Sequence, residues 1–368
     1  MSLPSQTQSM NSHSQIKQQI SECQVILGNS NKRFSGVTST MLATAQVQHE
    51  QIALCVLGKH HVPKSLLAVN FWQAARWLQQ SKTDSQVRVF HARRNDEMIQ
   101  ALLLKYVFGI ALKIVFTSTA QRQHSKFTRW LMDKMDAVIS TNSAAASYLA
   151  FAPDALIPHG VDHKKFSPVI DRTELREQLG RPRLHMAGIF GRVRRQKGIH
   201  LFVQACIETC QQQADFQAVI CGAYDDQEYV EQLKQQIAQA KLSHRIKFLG
   251  EQPFSQVVKW MQACDIVCAL SENEGFGLTV LEAMSCGAAV IATRAGAWPD
   301  IIRNGQNGVL VNVNAQAEIT NALQTLASQA KLRMAFSVSA RQTVLNHYRI
   351  ESEALALCEL YQNLLKQA

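Results

Sequence analysis

Short apolar runs rich in β-branched residues alternate with longer stretches of helical periodicity, and the whole alternation is completed twice along the chain. In the first half the runs are 23–28 (CQVILG), 52–58 (IALCVLG), 87–92 (VRVFHA), 112–118 (LKIVFTS), 137–141 (AVIST) and 155–160 (ALIPHG), with amphipathic segments such as 67–79 and 97–107 between them. In the second half they are 185–191 (HMAGIFG), 216–222 (FQAVICG), 245–250 (RIKFLG), 265–270 (DIVCAL), 288–293 (AAVIAT) and 308–313 (GVLVNV). Helices are expected near 198–212, 227–240, 255–263, 278–286, 298–303 and 315–327, with two more over 331–366. Uninterrupted apolar runs suit strands buried on both faces, and a helix between successive strands makes their pairing parallel. The pattern predicts an α/β protein of two doubly wound Rossmann-like domains facing a cleft. In such sheets a ligand sits beyond the carboxyl ends of the strands, so each strand-to-helix loop on that edge is a candidate site.

The joint between the two patterns is expected in the polar, Pro-bearing stretch 162–183. A tail over 1–21, polar and rich in Ser and Gln, is read as disordered. The first domain then covers 22–165, and the second runs from 166 to 346. The N-terminus lacks the apolar core of a signal peptide, and no stretch of eighteen apolar residues occurs, so a cytoplasmic chain is expected. The nine cysteines form no CxxC pair and no zinc spacing, and core packing in a reducing compartment is their expected role.

The net charge is +10 and lies almost entirely in the first half: residues 1–165 hold 18 Lys and Arg against 9 Asp and Glu, residues 166–368 hold 20 against 19. Such a basic half attracts anionic lipid, nucleic acid or a phosphorylated substrate, unless it serves only as a solvated surface. A nucleic-acid-binding protein is the alternative from another class, but no helix-turn-helix, zinc-finger or aromatic-basic RNA signature accompanies the charge, so no nucleic acid is expected as a partner. A dehydrogenase is disfavoured because no GxGxxG follows any of the runs.

The sharpest segment is 271–287 (SENEGFGLTVLEAMSCG), directly after the run 265–270. Gly275 and Gly277 permit tight turns and close approach of a ligand. A helix then opens near Leu278, and its first N–H groups favour an anion. Glu274 precedes that helix and Glu282 lies about one turn inside it, so both can border one pocket, where sugar hydroxyls are suitable partners for carboxylates. The second segment is 191–198 (GRVRRQKG), directly after the run 185–191. Arg192, as a planar fork, and Lys197, as a point charge, can clasp a diphosphate, while Arg194 and Arg195 read as solvated. No HExxH, EF-hand or paired-carboxylate metal motif is present, and neither a metal nor another cofactor is expected.

These two segments, with 288–301 following, resemble glycosyltransferase family 4, a retaining family of the GT-B fold. The resemblance implies a nucleotide-sugar-binding second domain. Arg192 and Lys197 take the donor phosphates, Glu274 and the backbone of Gly275, Phe276, Gly277 and Leu278 hold the donor sugar, and Glu282 takes the ribose hydroxyls. Glu274, Arg192 and Lys197 become the candidate catalytic residues. It also implies that 158–162 joins the domains and that the chain end, 347–368, crosses back to the first. Segments 35–40 (SGVTST), 91–97 (HARRNDE), 115–122 (VFTSTAQR), 127–131 and 135–139 further resemble the lipopolysaccharide core mannosyltransferases of Gram-negative bacteria. The first domain is then the acceptor side. Gly36 lets backbone approach the donor phosphates. His91, Arg93, Arg94 and Arg122 are the candidate acceptor-binding residues, two adjacent arginines suiting an acceptor phosphate or carboxylate. His91 is read equally well as a satisfied histidine at a strand end. The family's histidine after the strand 112–118 is replaced here by Thr119 or Ala120, and His124 is either its substitute or a surface histidine.

The expected activity is front-side, retaining transfer of a hexose, mannose favoured, from GDP-mannose or a UDP-hexose to lipopolysaccharide core, with the leaving diphosphate neutralised by cationic side chains. The expected partners are the nucleotide sugar, a lipid-linked core oligosaccharide and the inner face of the inner membrane, held peripherally by the basic first domain. Alternatives within the fold are a capsule, exopolysaccharide or small-molecule acceptor, and a scaffold that has lost catalysis.

Overall fold

Each apolar run becomes a strand, the central ones buried on both faces, and thirteen strands are present among the described residues. The computed structural model describes residues 18–33, 35–80, 86–183 and 185–367. It divides into one unit of Met1–His159 with Ile350–Ala368, and a second of Gly160–Arg349. In the first unit β1 (Val25–Gly28), β2 (Leu54–Leu57), β3 (Ala68–Val69), β4 (Arg88–Ala92), β5 (Leu112–Ser118), β6 (Ala137–Ser140) and β7 (Ala155–Leu156) pair in the order β3-β2-β1-β4-β5-β6-β7. In the second, β8 (His185–Phe190), β9 (Phe216–Cys221), β10 (Ile246–Gly250), β11 (Ile266–Ala269), β12 (Ala289–Thr293) and β13 (Val309–Val311) pair in the order β10-β9-β8-β11-β12-β13. All these pairings are parallel. Strand order therefore reverses between β1 and β4 in one sheet and between β8 and β11 in the other. These are the points where loops at the carboxyl edge diverge and leave a crevice.

The two faces of each sheet can be followed residue by residue. Val25 and Leu27 of β1 pack with Val56, Val89 and Val115 on one side, while Ile26 packs with Leu57, Phe90 and Ile114 on the other. Likewise Ala187 and Ile189 of β8 face Ala218, Ile220 and Cys268, whereas Met186 and Phe190 face Val219, Val267 and Val290. Gly188 sits between them because a Cβ there would stand 2.6 Å from the Cys264 sulfur. All nine cysteines are free and buried. Among the described residues no helix is long and apolar enough to cross a membrane.

Several boundaries differ from the sequence reading. Residues 1–17 of the expected tail lie outside the described residues. The tail does not extend to 21, because 18–21 form a helical turn whose Ile20 is fully buried in the first core. The second unit begins at Gly160 rather than 166, since Val161 and Phe166 both belong to its core. It ends at Arg349 rather than 346, since Tyr348, past the expected end, packs against the same core. The expected helix 67–79 starts instead at Phe71 (Phe71–Gln80), and Ala68–Val69 form β3. A reciprocal cap sets that start: Asn70 Oδ1 accepts from Gln73 N (2.8 Å) and Gln73 Oε1 accepts from Asn70 N (3.1 Å). The expected helix 97–107 is Asn95–Leu102 followed by a wider turn, Leu103–Val107.

The last helix, Ile350–Lys366, belongs to the first unit and packs beside the helix Gly36–Gln48. Leu357, Cys358, Tyr361 and Leu364 enter the core face that holds Val25 and Leu27. Tyr361 is fully buried, and its hydroxyl lies 2.5 Å from His91 Nδ1, whose Nε2 is 2.6 Å from Thr117 Oγ1. Burial, with Arg93 and His159 nearby, holds His91 well below the usual histidine range, so it is neutral and carries one donor and one acceptor nitrogen. The same burial pushes the Tyr361 hydroxyl up to about 12, so it stays protonated. Tyr361→Phe leaves a buried imidazole nitrogen unpaired and is expected to lower stability by about 1–3 kcal/mol. Tyr361→Ala adds a cavity and is expected to cost about 3–5 kcal/mol. Urea denaturation checks both, and an unchanged midpoint for Tyr361→Phe would show that the His91 contact carries no weight.

Candidate active site

In the second unit the loops after β8 and β11 are stitched together by backbone contacts that only glycine permits. Gly191 takes φ 130°, and the chain passes so near β9 that a Cβ on Gly222 would lie 1.8 Å from the Gly191 carbonyl oxygen. A single tight turn, Arg195–Lys197, ends on Gly198 in the left-handed region (φ 68°), where a Cβ would meet the Leu270 oxygen at 2.4 Å. The helix Ile199–Gln212 starts from there. Glu272 N donates to the Gln196 oxygen across the two loops (2.9 Å). Lys197 is thus carried against the β11 loop, where its Nζ forms an ion pair with Glu274 Oε2. The same carboxylate oxygen accepts from Ser271 Oγ at 3.2 Å.

The loop then turns at Gly277 (φ 81°), which starts the helix Leu278–Ser285. Trp298 Nε1 donates to the Gly277 oxygen at 2.9 Å, and a Cβ on Gly277 would lie 2.5 Å from that nitrogen and 2.7 Å from Glu274 Cγ. Phe276 is buried in the core, so its side chain anchors the loop and only its backbone remains for a ligand. The amide end of the helix opens at Leu278, beside Glu274. One turn on, Glu282 is half-buried and makes no side-chain hydrogen bond or ion pair with any other described residue. Desolvation raises its carboxyl from the usual 4.5 to about 7. The structure therefore brings Lys197, Glu274 and the helix start together, with Glu282 one turn beyond. It does not bring Arg192 to them. That side chain is half-exposed and reaches Asp225 at 3.5 Å, a weak exposed pair. Arg195 is exposed, as the sequence suggested, and its guanidinium lies over the Tyr229 ring, 5.1 Å from the centroid.

In the first unit the corresponding loops follow β1 and β4. Ser35 caps the helix Gly36–Gln48, its Oγ accepting from Thr38 N (3.3 Å), and a Cβ on Gly36 would meet nothing within 4 Å. Among the described residues the space beside that helix start is therefore open. Arg94 faces inward: Nη1 pairs with Glu97 (2.9 Å) while Nη2 donates to Ser35 Oγ (3.0 Å) and Thr38 Oγ1 (3.2 Å). Glu97 is fully buried and gathers both loops, accepting from Ser30 N (3.2 Å), Ser30 Oγ (3.1 Å) and Arg93 N (2.7 Å). Gly28 makes room for it, since a Cβ there would lie 2.9 Å from Glu97 Cγ. Sequence reasoning quoted Glu97 within 91–97 but gave it no role. An acidic residue in the first turn after two arginines was the available signal.

Beside this network lies a cavity of about 660 Å³, lined among others by Arg93, Arg94, Ser118, Arg122, His124 and Thr128. Arg93, Arg94 and Arg122 thus share one hollow, but His91 does not line it. That residue is the satisfied strand-end histidine, with both ring nitrogens engaged inside the core. His124 does line it, with Nε2 3.1 Å from Ser118 Oγ, and burial together with Arg122 and Arg129 lowers its affinity for a proton. Three cations and a ring of hydroxyls make the cavity suited to an oxyanion on a polyhydroxylated ligand.

The glycosyl transferases group 1 family matches residues 171–343, which include Arg192, Lys197, Glu274, Gly277 and Glu282. Across its length the chain is 37% identical to the lipopolysaccharide core biosynthesis mannosyltransferase LpcC of Rhizobium leguminosarum bv. viciae, over 94% of this chain and 98% of that one. It is 36% identical to LpsB of Rhizobium meliloti, which carries the same description, over 94% and 99%. The C-terminal domain of a group 1 glycosyl transferase (LpcC) from Francisella tularensis superposes with a TM-score of 0.51 at 38% identity, covering 52% of this chain and all of that structure. The fold as a whole is that of Anabaena Alr3699/HepE, solved in complex with UDP and glucose (TM-score 0.76, 20% identity, 92% and 99% covered). The chain is a GT-B glycosyltransferase, and it belongs to the group 1 family together with the lipopolysaccharide core mannosyltransferases.

Proposed function

We propose that this enzyme transfers a hexose, mannose in the favoured case, from a nucleoside diphosphate sugar to lipopolysaccharide core with retention of configuration. The observation that carries the reading is the constellation at the reversal point of the second sheet. There a lysine, an acid and the amide end of a helix meet, with a second acid, unpaired among the described residues, one turn beyond. The nearly full-length likeness to two mannosyltransferases supports the sugar and the acceptor, and GDP-mannose is the first donor to test. A UDP-hexose is the second reading, favoured by the UDP held in the Anabaena structures of the same fold.

In this reading the donor pyrophosphate lies against Lys197 and the amides at Leu278, with Arg192 swinging from its weak contact with Asp225 to join them. Charge developing on the departing diphosphate is met by groups already in place, and the reading calls for no metal. Glu274 exchanges part of its contact with Lys197 for hydroxyls of the donor sugar. Glu282 accepts from the ribose hydroxyls, which supply hydrogen bonds that no described residue gives its carboxylate. The acceptor hydroxyl attacks on the face from which the diphosphate leaves, and a phosphate oxygen takes its proton, so the neutral His124 is not required as a base. Arg93 and Arg122 hold an oxyanion of the acceptor. Arg94, saturated by Glu97 and the Ser35 cap, positions the loop that begins the helix at Gly36. The enzyme works at the cytoplasmic face of the inner membrane, where a lipid-linked acceptor is presented.

Lys197→Ala and Glu274→Ala are each expected to reduce kcat by about 10²-fold or more with the far-ultraviolet circular dichroism unchanged. Wild-type turnover in both purified variants would remove the assignment. Thermal shifts with GDP-mannose and UDP-glucose decide the donor, the true one raising Tm. Glu282 gives a pH signature. Its folded pKa is raised, so the native state holds the extra proton between about pH 4.5 and 7, and stability falls as pH rises through that window. Glu282→Gln is therefore expected to gain stability relative to wild type from pH 4.5 to 7 and to keep a constant advantage above it. Urea midpoints at both ends check the sign, and a pH-independent difference would be incompatible with it.

A further inference from the structure

The helix Lys126–Met132 (KFTRWLM) is capped by Ser125, whose Oγ accepts from Thr128 N at 3.1 Å. Its inward residues are accounted for. Leu131 and Met132 enter the core of the first unit, and Thr128 Oγ1 accepts from Asn95 Nδ2 at 2.8 Å. Its outward residues are not. Phe127 and Trp130 are 52% and 53% exposed, and their rings stack on each other 6.0 Å apart at 19°. A spacing of three places both on one helical face. Lys126 and Arg129 are exposed beside them, and 121–134 contains four basic residues, Arg122, Lys126, Arg129 and Lys134, against the single acid Asp133.

The neighbouring elements continue the theme. The helix Asn95–Leu102, which packs against Lys126–Met132, exposes Ile99, and the turn after it exposes Leu103, Tyr106 (68%) and Val107 (68%). Trp72, 72% exposed, meets Phe108 edge to face at 6.1 Å. Exposed aromatic and aliphatic side chains, set among lysines and arginines, match the boundary between anionic headgroups and acyl chains. A second copy of the chain would bring Lys126 and Arg129 against their own kind. A single-stranded nucleic acid would use the cations and rings but has no use for Ile99, Leu103 and Val107.

We propose that Phe127 and Trp130, flanked by Lys126 and Arg129, are the surface by which the first unit docks on an anionic phospholipid bilayer. The inference deepens the proposed function, since it rests on a lipid-linked acceptor. Ser125 and Thr128 of the same segment line the arginine-bearing cavity, so the docked helix sets the rim of that cavity at headgroup level, where a lipid-linked glycan begins.

The test uses the full chain and two double variants, Phe127→Ser with Trp130→Ser and Lys126→Glu with Arg129→Glu. Binding is read by co-sedimentation with vesicles of phosphatidylcholine alone or mixed with phosphatidylglycerol. Transfer is read separately on vesicle-embedded acceptor and on its delipidated, soluble oligosaccharide. The wild type is expected to bind only the anionic vesicles. The aromatic variant loses about tenfold or more of that binding at low salt, the charge-reversed variant loses it as well, and both keep transfer to the soluble acceptor. The charge-reversed pair keeps the test decisive if the serine variant does not fold. Unchanged vesicle binding by the folded aromatic variant would overturn the proposal. So would concentration-dependent self-association of the wild type that this variant abolishes, or tighter binding to single-stranded RNA than to anionic vesicles. Vesicle binding that behaves as expected, in a protein that transfers to neither acceptor, would instead sink the reading of the reaction and leave the docking surface standing.

Discussion

A parallel sheet wound outward from two adjacent central strands has one place where successive loops part, and both units of this chain place their candidate site residues there. At β1 and β4 the parting loops carry Ser30, Ser35 and Gly36 on one side and Arg93, Arg94 and Glu97 on the other. At β8 and β11 they carry Arg192 and Lys197 opposite Glu274 and Gly277. The reversal follows from connectivity, because helices leaving neighbouring parallel strands in opposite directions cannot both cover the gap. Everything specific to function is then a matter of which side chains the loops bring to that gap, and how rigidly.

Rigidity is supplied by glycines whose missing Cβ lets one loop's backbone touch the next. Gly198 lies against Leu270, Gly222 against Gly191, and Gly277 against Trp298 and Glu274. Each removes a degree of play from Lys197 or Glu274, so the charges at this pair of loops are held in place. Gly36 is different. Among the described residues nothing lies within 4 Å of the place its Cβ would take.

The two ion pairs of these sites differ in kind. Arg94–Glu97 is held inside the first unit, with the carboxylate fully buried and accepting two backbone and two side-chain donors. Removing one partner of such a pair strands the other, a loss of several kcal/mol, which suits a brace. Lys197–Glu274 keeps about a fifth of each side chain accessible, with Ser271 as the only other partner of the acid's Oε2 among the described residues. That pair can trade contacts with a ligand. Glu282 makes no side-chain hydrogen bond or ion pair among the described residues, so its carboxylate has capacity to accept.

Periodicity and spacing alone made two Rossmann-like halves legible, because a buried parallel strand and an amphipathic helix each impose a repeat on the chain. The loops 191–198 and 271–287 were legible for a related reason: backbone contact demands glycine at fixed positions, and phosphate demands cations near a helix start. A two-residue strand such as β3 leaves no repeat to read, and the cap at Asn70 that ends it shows only when Gln73 is seen to answer. The fates of His91 and Glu97 were decided by partners far away in sequence: Tyr361 and Thr117 for one, Ser30 for the other. The outward turn of Phe127 and Trp130 was likewise set by the packing of Leu131 and Met132 beneath them. Local sequence determines which backbone conformations and repeats are cheap. Which polar groups are spent inside the fold, and which are left for a ligand or a surface, depends on contacts across tens or hundreds of residues, and only the folded chain brings those together.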